Sequence, residues 1–236
     1  MSSKHVIILA GGKGTRLRPY TIVLPKPLVP IGEEPILEII IKQLANNNFK
    51  KLTLAVNHQA NIIKAFFGDG NKWGVEINYS QEDSPLGTMG PLTCIEDLPE
   101  NFMVMNGDIL TDLNFSDFFE QHLNKKAIFS ISATKRNLHS EYGVLHTSED
   151  NKLINFQEKP VYPCNVSMGI YAINKRVLNF IPMGVPFGFD HLMLELIKKK
   201  ESVNVINHDG YWLDIGREDD YRKAIEEFEY IKRYYL

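Results

Sequence analysis

The sequence predicts an α/β fold: a Rossmann-like mixed, mainly parallel sheet with helices on both faces and an antiparallel elaboration in the second half. Two observations carry this reading. Short apolar runs alternate with amphipathic stretches through the first half of the chain, the pattern of βα units that build a parallel sheet. After residue 140 that alternation gives way to closely spaced strand-like runs with a turn between them. A length of 236 residues, 44% hydrophobic and 23% charged, fits one domain, so residues 1–236 are read as a single unit with neither repeats nor a linker.

The elements follow in order. Strands are expected at VIILA (6–10), LTLAV (52–56), VEINYS (75–80), FMVMN (102–106) and AIFSIS (127–132). Helical patterns lie between them at 35–47, 59–67, 87–97 and 115–123. Residues 142–160 read as two strands joined at Glu149-Asp150-Asn151, followed by a strand at 166–173 and helices at 188–199 and 218–234. The last helix spaces Tyr221, Ala224, Ile225, Phe228 and Ile231 three or four residues apart, which predicts an apolar stripe docked on the core.

Composition excludes several classes. A net charge of -3 leaves no basic excess for nucleic acid or an anionic membrane surface. Cys94 and Cys164 form no CxxC pair, so neither a zinc site nor a disulfide framework is expected, and a reducing cytoplasm is the natural location. The N-terminus opens on a strand-like run instead of an export signal, and no apolar run approaches the ~20 residues of a membrane span. None of the seven histidines has metal-ligand spacing with another.

The most informative stretch is ILAGGKGTRLRPYTIVLPKPLVPIG, residues 8–32. It leaves the carboxyl end of the first predicted strand, where open α/β sheets bind ligands. The dinucleotide fingerprint fails because no third glycine follows Gly12 and Gly14 and Pro19 blocks an early helix; the Walker loop fails because GxxxxGK is absent. What remains is a loop whose bare amides can approach a phosphate, with Arg16 beside it and Lys26 held between Pro25 and Pro27. This composition suits a triphosphate cradle; an ordinary glycine-rich surface loop is the alternative reading.

Taken whole, GGKGTRLRPYT followed by PKPLVPIG closely resembles the signature of the sugar-1-phosphate nucleotidylyltransferases, or NDP-sugar pyrophosphorylases. The resemblance continues through SPLGTMGPL (84–92), MNGD (105–108), YGV (142–144), QEKP (157–160), SMGIY (167–171) and YWLDIG (211–216), in family order. It implies attack of a sugar-1-phosphate oxygen on the α-phosphate of an NTP, with release of pyrophosphate and a requirement for Mg²⁺. It also implies a nucleotide contact surface at Leu9, Gly11, Gly12, Gly14, Thr15, Arg16, Lys26 and Gly87. The PKPLVP run resembles the mannose-1-phosphate guanylyl branch more than the thymidylyl branch.

The residues suit that chemistry. Nucleotidyl transfer needs two polyanions brought together and the developing charge neutralised. Asp108 ends a predicted strand beside Asn106, and Asp214 sits among apolar neighbours; two carboxylates with phosphate oxygens and water make a hard oxygen site for Mg²⁺. The structural alternatives are a turn or helix-capping role for Asp108 and a buried ion pair with Arg217 for Asp214. Arg16 is expected to neutralise the departing pyrophosphate and Lys26 to hold phosphate. By resemblance, Lys159 grips the sugar phosphate, Glu158 accepts from sugar hydroxyls and Gly143 lets the sugar approach the main chain, with Asn106 counted among the substrate-binding residues. Lys13, Arg18 and the lysines at 198–200 are read as solvated charges.

Glu82 falls where thymidylyl relatives carry a base-reading glutamine. A carboxylate offers only acceptors, which suits the adjacent N1–H and N2–H of guanine better than uracil or thymine. GTP and a mannose- or heptose-1-phosphate are therefore the expected substrates. A uridylyl- or thymidylyltransferase on another hexose-1-phosphate is the nearest alternative. A noncatalytic nucleotide-sugar-binding regulator has no need of Arg16, Lys26, Asp108, Lys159 and Asp214 together. The absence of hexapeptide repeats after YWLDIG argues against a second activity, and the aromatic tail from Tyr230 to Tyr235 suggests a homodimer.

Overall fold

All five apolar runs of the first half are strands of one seven-stranded sheet in the structure, a computed structural model that describes residues 4–82 and 84–232. β1 (Lys4–Leu9) is followed by a loop of three single 3₁₀ turns, by the small hairpin β2 (Pro30–Ile31) and β3 (Glu34–Pro35), and by α1 (Ile36–Asn46). Then come β4 (Phe49–Val56), α2 (Ala60–Phe67), β5 (Glu76–Gln81), β6 (Asn101–Asn106), the short β7 (Ile109–Thr111) and α3 (Phe115–Lys125). The second half contains β8 (Phe129–His139), β9 (Val144–Thr147), β10 (Leu153–Gln157), β11 (Val161–Asn174), α4 (Phe189–Lys198), β12 (Val203–Asn207), β13 (Trp212–Asp214) and α5 (Glu218–Ile231).

The sheet order is β12-β8-β11-β6-β1-β4-β5, with β11 alone antiparallel to its neighbours. From β1 the chain winds outward through β4 and β5, then crosses to β6 on the other side of β1. The carboxyl ends of β1 and β6 thus flank the point where winding direction reverses, and a crevice opens there in doubly wound sheets.

Side chains alternate between two cores. Val6, Ile8, Met103 and Met105 face α1, α2, α3 and α5, whereas Ile7, Phe102 and Val104 face α4 and the 3₁₀ segments. α1 is apolar on nearly every side, with Ile36, Leu37, Ile39, Ile40, Ile41 and Leu44 all buried. α3 starts where Asn114 accepts a hydrogen bond from the Asp117 amide at 3.0 Å. His5 and His122 are core residues: they bond Thr53 and Ser130, and burial pushes each down to about 4.

Three expectations need correction. The helix expected at 87–97 is only a 3₁₀ turn, Gly90–Cys94: Gly87 has φ of 79°, and Pro91 supplies no amide to continue an α-helical ladder. On α5, Tyr221, Ala224 and Phe228 are buried as expected, but Ile225 is 47% exposed, because the stripe is narrower than the apolar spacing suggests. β7, β12 and β13 were not expected at all. The tail beyond residue 232 lies outside the described residues.

The antiparallel elaboration is present. β8 and β11 lose register between Ser167 and Tyr171, at a bulge around Gly169. Beyond it the two strands continue as a ribbon, Arg136 against Cys164 and His139 against Val161, beside the separate hairpin β9–β10. Leu145, Leu153, Ile154 and Phe156 of that hairpin are exposed. This arm carries its apolar side chains largely outside the core.

Candidate active site

The glycine loop leaves β1 at the crevice. The Gly107 amide donates to the Leu9 carbonyl at 3.0 Å, which ties the ends of β1 and β6 together. Gly14 has φ of 61° and opens the 3₁₀ turn Thr15–Leu17; a Cβ there would lie 2.9 Å from Thr21 Cγ2 and 3.2 Å from Lys26 Cβ. Only glycine fits both the conformation and the space. The loop walls a cavity of about 240 Å³ lined by Gly12, Gly14, Thr15, Arg16, Lys26 and Asp108. Lys13, read as a solvated charge, is indeed exposed and also lines this cavity.

One ladder and one main-chain bond bring the acids together. β7 pairs antiparallel with β13, setting Asp214 opposite Ile109, and the Ile215 amide donates to the Asp108 carbonyl at 3.0 Å. The Lys26 ammonium bonds Asp108 Oδ2, with both side chains mostly buried. Asp108 Oδ1 is buried and has no hydrogen-bond partner. Burial, and then the negative charge of Asp108, hold the Asp214 carboxyl above the usual aspartate range, while Lys26 and Arg16 pull the other way. A Cβ on Gly216 would lie 3.4 Å from both Arg16 Nη2 and Asp214 Oδ1, so Arg16 reaches the same place. Asp214 makes no ion pair with Arg217 among the described residues, and the cap of α3 is Asn114, not Asp108. Asp108 does lie in the two-residue turn between β6 and β7, as the turn alternative expects, but neither a helix cap nor a pair with Arg217 describes these acids.

A second cavity, of about 340 Å³, shares Leu9, Gly12 and Asp108 with the first. Gly11, Asn57, Glu82, Gly87 and Asn106 line it as well. Asn57 is a residue that sequence reasoning missed; its side-chain amide donates to the Glu82 carbonyl at 3.3 Å. Glu82 Oε2 accepts the Leu86 amide at 2.7 Å, leaving Oε1 near Gly11. Burial raises this carboxyl, against the lowering effect of the Leu86 bond.

Gly87 lines this cavity for a reason of packing. A Cβ there would meet the Phe187 carbonyl oxygen at 2.8 Å. Phe187 clamps the loop through three main-chain bonds, donating to Leu86 and accepting from Met89 and Gly90 at 2.8, 3.0 and 3.1 Å. The Phe189 amide adds a bond to Thr88 Oγ1 at 2.8 Å.

The three expected sugar contacts lie apart from both cavities, on the arm. Gly143 and Glu158 are neighbours there, since a Cβ on Gly143 would come within 3.2 Å of Glu158 Oε2 and 2.6 Å of the Phe156 ring. Lys159 is exposed, with φ of 42°. Asn106 does sit at the cavity, its amide pressed against Gly169 of the bulge.

Residues 5–230 match the family model described as nucleotidyl transferase. A UTP–glucose-1-phosphate uridylyltransferase of Synechocystis is 34% identical over 93% of this chain and 62% of its own length. A D-glycero-α-D-manno-heptose 1-phosphate guanylyltransferase of Aneurinibacillus thermoaerophilus is 33% identical over 96% of the chain and 99% of its own. The chain spans about three fifths of the length of the first curated relatives it matches. Among solved structures, HddC from Yersinia pseudotuberculosis complexed with GMP-PN superposes with a TM-score of 0.74 at 27% identity, covering 95% of this chain and 99% of that one.

Proposed function

The chain belongs to the nucleotidyl transferase family, and from that premise we propose that it joins GTP and a mannose- or heptose-1-phosphate to give a GDP-sugar and pyrophosphate, with Mg²⁺ held by Asp108 and Asp214. The observation that carries this reading is the convergence of Lys26, Arg16 and Asp108 on a glycine-loop cavity that shares a wall with a second pocket, with Asp214 within electrostatic reach of all three. A triphosphate laid across the shared wall puts its phosphates by the loop and its base by Glu82.

The metal fits this donor set. Asp108 Oδ1 is a buried acceptor without a donor among the described residues, and Asp214 is raised first by burial and then by the Asp108 charge, the second of which a cation between the acids would relieve. Mg²⁺ takes one or two carboxylates and fills the rest of its shell from phosphate and water; bound there, it supplies neutralisation of charge developing on the phosphates. The chain's own groups do the rest. Loop amides and Lys13 hold the polyanion, and Arg16 meets the departing pyrophosphate. A sugar-phosphate oxygen forms the new bond to the α-phosphorus as the bond to the bridging oxygen breaks. The nucleophile is already anionic, so no side chain need remove a proton.

Lys159 and Glu158 would deliver the sugar phosphate from the arm, with Gly143 allowing close approach. The guanine assignment rests on the Glu82 carboxylate, on the guanylyl relative and on the guanine-nucleotide complex of the HddC neighbour. A uridylyl reading has one observation in its favour besides the Synechocystis relative. Burial favours the neutral Glu82 carboxyl, which presents a donor and an acceptor as uracil requires. Two separated thiols and the absence of any helix long and apolar enough to cross a membrane among the described residues support cytoplasmic operation. Pyrophosphate release measured across the common NTPs and a panel of sugar-1-phosphates tests the proposal. The expected maximum is GTP with a manno-configured substrate; a maximum with UTP or dTTP overturns the base assignment.

A further inference from the structure

Thr21 lies ten residues beyond the glycine pair, touches neither cavity, and is 4% exposed in the 3₁₀ turn Tyr20–Ile22. Its hydroxyl donates to the Gly14 carbonyl at 2.7 Å, and the Leu17 amide donates to the same oxygen at 2.9 Å. Two donors on one carbonyl fix the orientation of that peptide group. A trans peptide is planar, with its C=O and N–H pointing in opposite directions. Turning the Gly14 carbonyl toward the buried hydroxyl therefore turns the Thr15 N–H the other way, toward the cavity that Thr15 lines.

The methyl group of Thr21 works with the hydroxyl. It and Lys26 Cβ fill the place a Cβ on Gly14 would take, at 2.9 and 3.2 Å, so both crowd the left-handed Gly14. The turn that carries Thr21 is itself anchored: the Tyr20 ring packs on Tyr221 of α5 with centroids 5.1 Å apart, and the Tyr221 hydroxyl donates to the Pro30 carbonyl at 2.8 Å. Gly14 would otherwise be free to flip, since glycine occupies both hands of the backbone map with similar ease.

We infer that Thr21 is a positioning residue that aims the Thr15 amide at a bound phosphate by pinning the Gly14 carbonyl from behind. Peptide donors held in place in advance are worth more to a polyanion than donors that must reorganise on binding. This inference rests on the nucleotide-binding reading of the same loop. It assigns Thr21 to the phosphates and not to the base.

The test compares binding of GTP and of guanosine to the wild-type chain, Thr21→Val and Thr21→Ser, with Mg²⁺ present and sugar phosphate absent. Valine keeps the packing and removes the donor; serine keeps the donor. Thr21→Val is expected to weaken GTP on the order of tenfold, the scale of one lost hydrogen bond, while guanosine binds as before and Thr21→Ser stays within about threefold of wild type. Equal losses for GTP and guanosine, or GTP binding unchanged in Thr21→Val, overturn the positioning role. A wild-type chain that binds neither GTP nor UTP refutes the nucleotide-binding reading itself, which is a different failure.

Discussion

The Lys26 ammonium sits on one oxygen of Asp108 and leaves the other buried without a donor, although the two residues are 82 positions apart in the chain. The pair marks a carboxylate that is half neutralised and still able to receive a cation. Removing its charge strands Lys26 in a mostly enclosed position. Asp108→Asn is therefore expected to lower turnover by about a hundredfold or more and to lower Tm as well. Thermal melts alongside steady-state rates check both effects, and near-normal turnover at saturating Mg²⁺ would falsify the assignment.

Asp214→Asn should behave differently. Burial and the Asp108 charge raise the Asp214 carboxyl, so the folded state binds this proton more tightly than the unfolded chain does. Its contribution is fully present below the ordinary aspartate range and is lost as pH rises through the raised folded value. In metal-free buffer near neutrality, Asp214→Asn removes that penalty and should raise Tm by a few degrees while abolishing most turnover. Mg²⁺ should raise the wild-type Tm and have little effect on the variant. A fall in Tm at neutral pH would contradict the electrostatic account.

The arm and the loop should separate in kinetics. Lys159→Ala is expected chiefly to raise KM for the sugar phosphate, whereas Arg16→Ala chiefly lowers kcat with the NTP still bound, because its charge matters most as pyrophosphate leaves. Initial rates with each substrate varied in turn decide this. An effect of Lys159→Ala confined to the NTP would remove it from the sugar site.

Base choice should depend on pH. Ionised Glu82 suits guanine and neutral Glu82 suits uracil, and burial brings the neutral form in at higher pH than for a free glutamate. The ratio of kcat/KM for GTP to that for UTP should thus fall as pH is lowered into the raised titration range of Glu82, and Glu82→Gln should lower it at higher pH and remove its pH dependence. A pH-independent ratio, or no response to Glu82→Gln, leaves the base to be read elsewhere.

Gly87→Ala tests the clamp on the base loop. A side chain there meets the Phe187 carbonyl and a backbone of the wrong hand, a strain of about 1–3 kcal/mol. Nucleotide KM should rise with little change in the sugar-phosphate KM, as titrations of both substrates would reveal.

Much of this was legible in the sequence because it depends on local composition. Long apolar runs such as VIILA and FMVMN specify buried strands, and the glycines with Arg16 and Lys26 mark the loop that walls the first cavity. What escaped depends on contacts distant in the chain. β7 and β13 are three residues each, too short to show a period, yet their pairing is what sets Asp214 beside Asp108. Residues 87–97 have the apolar spacing of a helix, but their conformation is set by Phe187, a hundred residues away, packed on Gly87. Asn57 carries no motif of its own and comes into view only through the cavity it lines.

The most direct test of the central claim is a direct assay for nucleotidyl transfer: GTP labelled at the α-phosphate is mixed with mannose-1-phosphate or the manno-heptose-1-phosphate, and labelled GDP-sugar and pyrophosphate are quantified together. The two products should form in equal amounts, only with Mg²⁺ and sugar phosphate both present, and fall at least about a hundredfold in Asp108→Asn and in Asp214→Asn. Pyrophosphate released without sugar phosphate, or a GDP-sugar formed undiminished by both variants, would contradict the account.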